Sequence, residues 1–308
     1  LFQLPDFVAK MMENKWLGSK TGQGFYKKEG KDILTLDLNT LEYRPNKKAS
    51  FATLELTKTI DKPINRFKVL IDGKDKAGEF YRKNFSAMFA YCSNRIPEIT
   101  DAFYKIDDAM KAGFGWENGP FEIWDAVGVE KGIEMMKAEG YEPAAWVTEM
   151  IASGNTSFYS VKDGATYFYS IPSKSIEKIP GQDAFIILNN IRESKKVWNN
   201  SESIITDLGD GILNLEFTSK MNSIGAGVLQ GINKAIDMAE KGYNGLVIGN
   251  QDANFSVGAN LGMIFMLAVE QEYDEMNMAI KMFQDTMMRC RYSAIPVIAA
   301  PHGMTLGG

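Results

Sequence analysis

The chain of 308 residues has one histidine, two cysteines and no surplus of positive charge. Cys92 and Cys290 stand in no metal-ligand spacing, which leaves no cysteine-based metal site and points to a reducing compartment. The net charge of −5, with no basic cluster to offset it, excludes a nucleic-acid surface. No apolar run approaches the roughly 18–20 residues of a membrane span, and no secretory signal opens the chain, so a cytoplasmic setting is expected. The first residue is Leu1 rather than Met, and the N-terminus is expected to be a cut end. Otherwise the composition, 45% hydrophobic and 24% charged, is ordinary for a globular protein. The length suits two domains, or one domain with pieces of others.

Periodicity divides the chain. Residues 28–80 mix Lys, Asp and Asn with short apolar stretches and read as a connecting segment, with a short strand near 51–56. Phe85, Met88, Phe89, Cys92, Ile96, Ile99 and Phe103 then recur at three- and four-residue steps, one apolar stripe on a long helix that Pro97 should bend or break. Asp107-Asp108 opens a short helix stopped by Gly113. Pro120 suits a first helical position with Gly128 closing that helix, and Pro143 opens another reaching about Ala152. A weak repeat relates residues 17–26 to 151–159, each running from a helix end through small residues to Phe-Tyr. Two copies of one helical unit, the first missing most of its body, would explain it; chance recurrence of Gly-aromatic turns is the alternative.

Beyond about Pro180 the pattern changes. Gly209-Asp210-Gly211 precedes alternating Leu213, Leu215 and Phe217, a hairpin signal. A helical stripe over 228–239, an apolar strand at 246–248, a helix over 276–288 and a strand over 297–300 follow, the alternation of a parallel α/β sheet. Two of these strands lead into small turns, Phe255-Ser256-Val257-Gly258-Ala259-Asn260 and Leu306-Gly307-Gly308. Small residues there let a ligand approach the backbone, so that two N–H groups converge on one thioester oxygen.

Residues 80–160 resemble the C-terminal helical domain of 3-hydroxyacyl-CoA dehydrogenases. The likeness lies in Ser93-Asn94-Arg95-Ile96-Pro97-Glu98 and the run from Asp108-Ala109-Met110-Lys111 through Gly119-Pro120-Phe121-Glu122-Ile123-Trp124-Asp125. Residues 183–308 resemble the first half of enoyl-CoA hydratases, the crotonase family. The resemblance implies a multidomain chain: 1–27 the tail of a first helical copy, 28–80 a connector, 81–170 a second all-α helical domain, and 183–308 an incomplete α/β crotonase-like domain. It implies a fragment of a fatty-acid β-oxidation enzyme, NAD-dependent 3-hydroxyacyl-CoA dehydrogenase joined to enoyl-CoA hydratase, acting on acyl-CoA and assembling as a homo-oligomer.

Matched residue by residue, Ala259 carries the first oxyanion donor and Gly308 the second, with Gly258 and Gly307 beside them. Lys220 falls where crotonases contact the CoA phosphates or adenine, and a solvated lysine is the alternative. The family's two glutamates lie beyond Gly308; Glu270 and Glu272 match neither. The dehydrogenase base is missing too, because His302, the one histidine, lies in the hydratase half, where it either lines a CoA channel or makes a structural hydrogen bond. Gly225, Gly227 and Gly231 lack the spacing of a dinucleotide turn, so the NAD domain is expected elsewhere in the parent and the fragment is expected to be inactive alone. Asn94 reads as a structural relic of a catalytic motif, its neighbour Arg95 as helping to shape an acyl or subunit interface, the methionines from Met263 to Met288 as an acyl pocket or core filling, and Asn260 as a neutral replacement for the usual aspartate. A non-catalytic acyl-CoA-binding and dimerisation module, and an enoyl-CoA isomerase, remain open as alternatives.

Overall fold

The computed structural model describes residues 4–307. Helix α1 (Asp6–Glu13) leads into a three-stranded antiparallel sheet of β1 (Tyr26–Glu29), β2 (Asp32–Leu36) and β3 (Tyr43–Pro45). A helical body follows: α2 (Ala52–Thr57), α3 (Pro63–Asp72), α4 (Lys76–Asn94), α5 (Tyr104–Phe114), α6 (Pro120–Val127), α7 (Val129–Ala138) and α8 (Ala145–Ala152). A second antiparallel sheet, β4 (Tyr159–Lys162), β5 (Ala165–Ser170) and β6 (Ser175–Lys178), closes it. After α9 (Leu188–Lys195) come β7 (Lys196–Asn199), β8 (Ser203–Gly209), β9 (Ile212–Phe217), α10 (Ala226–Gly242), β10 (Gly245–Ile248), α11 (Leu261–Val269), α12 (Tyr273–Arg291) and β11 (Val297–Ala299). These last strands form one sheet in the order β11-β10-β9-β8-β7.

Local chemistry explains the boundaries. Asp75 starts α4 by accepting the N–H groups of Ala77 and Gly78, each at 3.1 Å, and also holds Thr53 N–H at the start of α2. Helix α4 stops at Asn94, before Pro97; beyond it Ile96 and Phe103 are buried, whereas Ile99, expected on the same stripe, is 66% exposed. Pro120 occupies the first position of α6, where Glu122 reaches back to Gly119 N–H at 2.8 Å.

Five readings of the sequence need correction. Residues 51–56 are not a strand: α2 covers that stretch, anchored through Asp75. Residues 28–80 are not a mere connector, because α3 buries Leu70 and Ile71, and Ile71 joins the core of the helical body. The segment 81–170 is not all-α either, since β5 supplies Phe168 and Tyr169 to that core. Helix α5 runs through Gly113 and ends at Gly115, whose φ of +66° suits the left-handed cap. The last sheet is mixed: β9, β10 and β11 are parallel, whereas β7, β8 and β9 are antiparallel.

The repeated segments open the same order of elements. In each, a helix leads through a turn into three antiparallel strands, and one hydrogen bond recurs at the same place. Leu36 N–H donates to Phe25 C=O at 2.9 Å, and Tyr169 N–H donates to Phe158 C=O at 3.0 Å. Yet Phe25 is 50% exposed and Phe158 fully buried.

The helical core centres on Phe103, whose ring meets those of Phe121, Trp146, Phe158, Tyr159 and Phe168 at 5.0–5.8 Å. Trp124 stacks on Phe89 and donates to Val129 C=O at 3.0 Å. Two carboxyls, the buried Asp107 and the half-buried Asp125, tie this core together. Asp107 accepts Phe121 N–H, Glu122 N–H and the Tyr159 hydroxyl, and Asp125 accepts the N–H groups of Phe158 and Tyr159. Burial outweighs these donors and pushes Asp107 up to about 6 and Asp125 up to about 7.

Two predictions follow from this core. Phe103→Ala removes the ring that five others pack on and should cost about 3–5 kcal/mol in denaturant unfolding. Because both carboxyls bind protons more tightly folded than unfolded, where an aspartate titrates near 3.8, stability falls as pH rises from about 4 to about 7 and is flat above. Thermal midpoints should therefore drop by several degrees between about pH 5 and about pH 8, and Asp125→Asn should shrink that drop.

Candidate oxyanion site

Parallel pairing of β9, β10 and β11 brings their C-terminal ends to one edge of the sheet, and their three exits meet there. The exit from β9 passes through Lys220 to Ile224, that from β10 through Asn250 to Gly258, and that from β11 through His302 to Gly307. The latter two run side by side. Phe255 N–H donates to His302 C=O at 3.0 Å, Ser256 N–H to Met304 C=O at 3.1 Å, and Leu306 N–H to Ser256 C=O at 3.0 Å. The approach demands glycine: a Cβ on Gly258, where φ is +86°, would lie 2.5 Å from the Leu306 carbonyl oxygen.

The third exit fixes the direction of the candidate donor. Ile224 N–H donates to Gly258 C=O at 2.8 Å, and Ile224 C=O accepts Asn260 N–H at 3.2 Å. In a trans peptide the Ala259 N–H points opposite to the Gly258 C=O, hence away from Ile224. Among the described residues that N–H has no hydrogen-bond partner. A Cβ on Gly307 would lie 3.7 Å from the Ala259 nitrogen, so the second turn borders the same space. Asn260 caps α11 by accepting Met263 N–H at 3.3 Å, which sets Ala259 at the positive end of that helix.

Ala259 and Asn260 form part of the wall of an apolar cavity of about 270 Å³, closed by Leu229, Ile264, Met282 and Phe283. A second cavity of about 430 Å³ lies along the turns, between Ile248, Phe255, Leu306 and Gly307. Among the described residues no carboxylate lines either one.

Of the residues singled out from the sequence, Gly258, Ala259 and Gly307 come together. Lys220 is exposed on the adjoining exit, in a turn where Met221 and Asn222 both have φ of +55°. Gly308 lies outside the described residues. His302 makes a structural bond, with Nε2 2.7 Å from the Asp252 C=O and its ring edge-on to Phe255. Glu270 and Glu272 are exposed after α11. Asn94 bridges the carbonyls of Ala90 and Glu142, and Arg95 pairs with Glu98 at 2.6 Å.

The glycines of α10 serve packing. A Cβ on Gly231 would lie 2.2 Å from Ser203 Oγ, and one on Gly227 2.6 Å from Glu202 Oε2. Glu202 also accepts Val228 N–H at 3.2 Å. A carboxylate thus fills the start of α10, where a dinucleotide pyrophosphate would have to sit, so this glycine run does not fit NAD.

Sequence reasoning missed the polar groups that brace the site. Asn250 is 6% exposed; it accepts Phe217 N–H and donates to Phe255 C=O, both at 2.7 Å. Ser256, 2% exposed, donates to Asn222 C=O at 2.7 Å and accepts Gly258 N–H at 3.0 Å. Ser256 stands between the apolar Phe255 and Val257, the one local signal it gave, whereas Asn250 opens a polar run, Asn250-Gln251-Asp252, that does not set it apart.

Gly258→Ala should force the two exits apart, with a cost of about 1–3 kcal/mol. Hydrogen exchange should quicken at Phe255, Ser256 and Leu306 while Phe89 in the helical body keeps its protection.

No known family profile matches the chain. Along its whole length it is similar to a probable 3-hydroxyacyl-CoA dehydrogenase of Bacillus subtilis (strain 168), 42% identical over 309 residues and covering 39% of that protein. It is also similar to a putative fatty acid oxidation complex trifunctional enzyme of Rickettsia prowazekii (strain Madrid E), 25% identical over 307 residues, covering 97% of this chain and 38% of that one. The chain spans less than two fifths of the length of these relatives. Among solved structures, an enoyl-CoA hydratase from Polaromonas sp. JS666 overlaps 33% of this chain and 40% of its own, with 24% identity and a TM-score of 0.31.

Proposed function

We propose that the chain is part of a longer fatty-acid oxidation enzyme, a 3-hydroxyacyl-CoA dehydrogenase joined to an enoyl-CoA hydratase, and that its last third binds the acyl-CoA thioester. One observation carries this reading: the unpartnered Ala259 N–H, aimed by the Ile224 bond and set beside an apolar cavity. A thioester carbonyl placed there meets a fixed dipole as charge develops on its oxygen, and the donor needs no reorganisation. Gly308 is proposed as the second donor. Lys220 is proposed to meet the CoA phosphates, and the cavity to take the acyl chain. By this proposal NAD, the dehydrogenase base and the two glutamates belong to residues outside those described.

A second reading, an acyl-CoA-binding module without turnover, is favoured by the absence of a carboxylate from both cavity walls among the described residues. Assembly as a homo-oligomer is part of the main proposal and is supported by α11, apolar all round, where Leu261, Phe265 and Val269 are 60–73% exposed. A cytoplasmic setting suits the two free cysteines.

Calorimetric titration of the intact protein with crotonyl-CoA and with free CoA tests the reading. Crotonyl-CoA should bind at least about tenfold more tightly, and equal affinities would sink thioester recognition. Ala259→Pro, which deletes the donor, should lower turnover by about 10²-fold or more. Thioester-specific binding with no turnover in the intact protein would select the binding module.

A further inference from the structure

We propose that Ser256 is a positioning residue, whose buried hydroxyl sets the direction of the Ala259 N–H and couples it to the Lys220 loop. The proposal rests on the acyl-CoA reading above.

Four residues on two segments, 222–224 and 256–258, close a ring through this one hydroxyl. Ser256 Oγ donates to the carbonyl of Asn222, and two residues later Ile224 N–H holds the carbonyl of Gly258. The N–H of Gly258 returns to Ser256 Oγ. Both sides of Gly258 are therefore spoken for, its N–H by Ser256 and its C=O by Ile224, and the next amide, that of Ala259, is left to meet a ligand. Without the hydroxyl, Gly258 N–H loses its partner, and the residue whose C=O shares a peptide with the Ala259 N–H loses one of its two restraints.

The ring also holds a costly backbone. Met221 and Asn222 are consecutive non-glycine residues with φ of +55°, a conformation that persists only where its surroundings over-determine it. Asn222 is 2% exposed and held from two sides, by Ser256 on its carbonyl and through its Nδ2 on the Asn254 carbonyl at 2.9 Å. Lys220 immediately precedes this pair. A ligand that engages Lys220 with its phosphates and Ala259 with its thioester thus pulls on two ends of one hydrogen-bonded ring.

Turnover of crotonyl-CoA by the intact protein, together with the infrared stretch of its thioester carbonyl labelled with 13C, tests this. In the wild type, binding should move the stretch to lower frequency. Ser256→Ala should lower kcat by roughly 10- to 100-fold while KM moves by less than about threefold, and should lose most of the shift. Ser256→Thr, which keeps the hydroxyl, should restore both. A wild-type kcat and shift in Ser256→Ala would overturn the proposal, as would a loss of kcat with the shift intact. If Ser256→Ala does not fold, Ser256→Cys takes its place: a thiol holds these bonds weakly, so a retained shift overturns the proposal and a lost shift supports it. Absence of the shift in the wild type would bring down the acyl-CoA reading itself, a result distinct from any failure confined to the variants.

Discussion

The hydrogen bond from Ile224 N–H to the Gly258 carbonyl governs the geometry of the candidate site. It is a backbone bond, so no side chain at 224 or 258 encodes it, and it forms only if three strand exits arrive at the same edge of the sheet. The parallel run β9-β10-β11 delivers them there, and the buried stripe of α10, from Val228 to Ala239, seats the start of that helix just after Ile224. Glycine at 258 then follows from crowding rather than from flexibility, because the Leu306 carbonyl occupies the space of its missing side chain. The amide of Ala259 is left over by this arrangement: among the described residues it, like that of Val257, has no hydrogen-bond partner.

Legibility in the sequence followed the range of the interactions involved. Helix α10, the β8–β9 hairpin and the Pro120 start of α6 were readable because period, turn glycines and a first-position proline act within a few residues. The pairing of the two glycine turns was readable only through family resemblance, since nothing local says that residues near 258 and 307 meet. Helix α2 was misread as a strand because its six residues are too few to show a period, and its anchor, Asp75, lies 22 residues away from Thr53. Sheet β4-β5-β6 was absorbed into a helical domain because Phe168 and Tyr169 are adjacent and both buried, which breaks the alternation expected of a half-exposed strand. Ser256 was in view yet assigned no part, because its two partners are backbone atoms brought in by other segments.

The helical body meets a similar need by different means. There the groups that must be satisfied are the first amides of α6 and of β4, and two carboxyls from neighbouring turns of chain accept them. Each carboxyl also joins elements that are far apart in sequence, so the same side chains that cap a helix or a strand hold the sheet against the helices. The cost is one acid buried and another half-buried, which makes this body sensitive to proton activity between about pH 4 and about pH 7.

The turn that ends in Phe-Tyr occurs twice, at residues 25–26 and 158–159, with the same backbone bond behind the aromatic ring in both places. In one the ring stands half in solvent; in the other it is sealed among Phe103, Phe121, Trp124 and Trp146. The geometry of the turn is therefore indifferent to whether its aromatic is dry. A single polypeptide carries both the wet and the dry version of one motif, and so supplies its own reference for separating what a turn owes to its local sequence from what it owes to its neighbours.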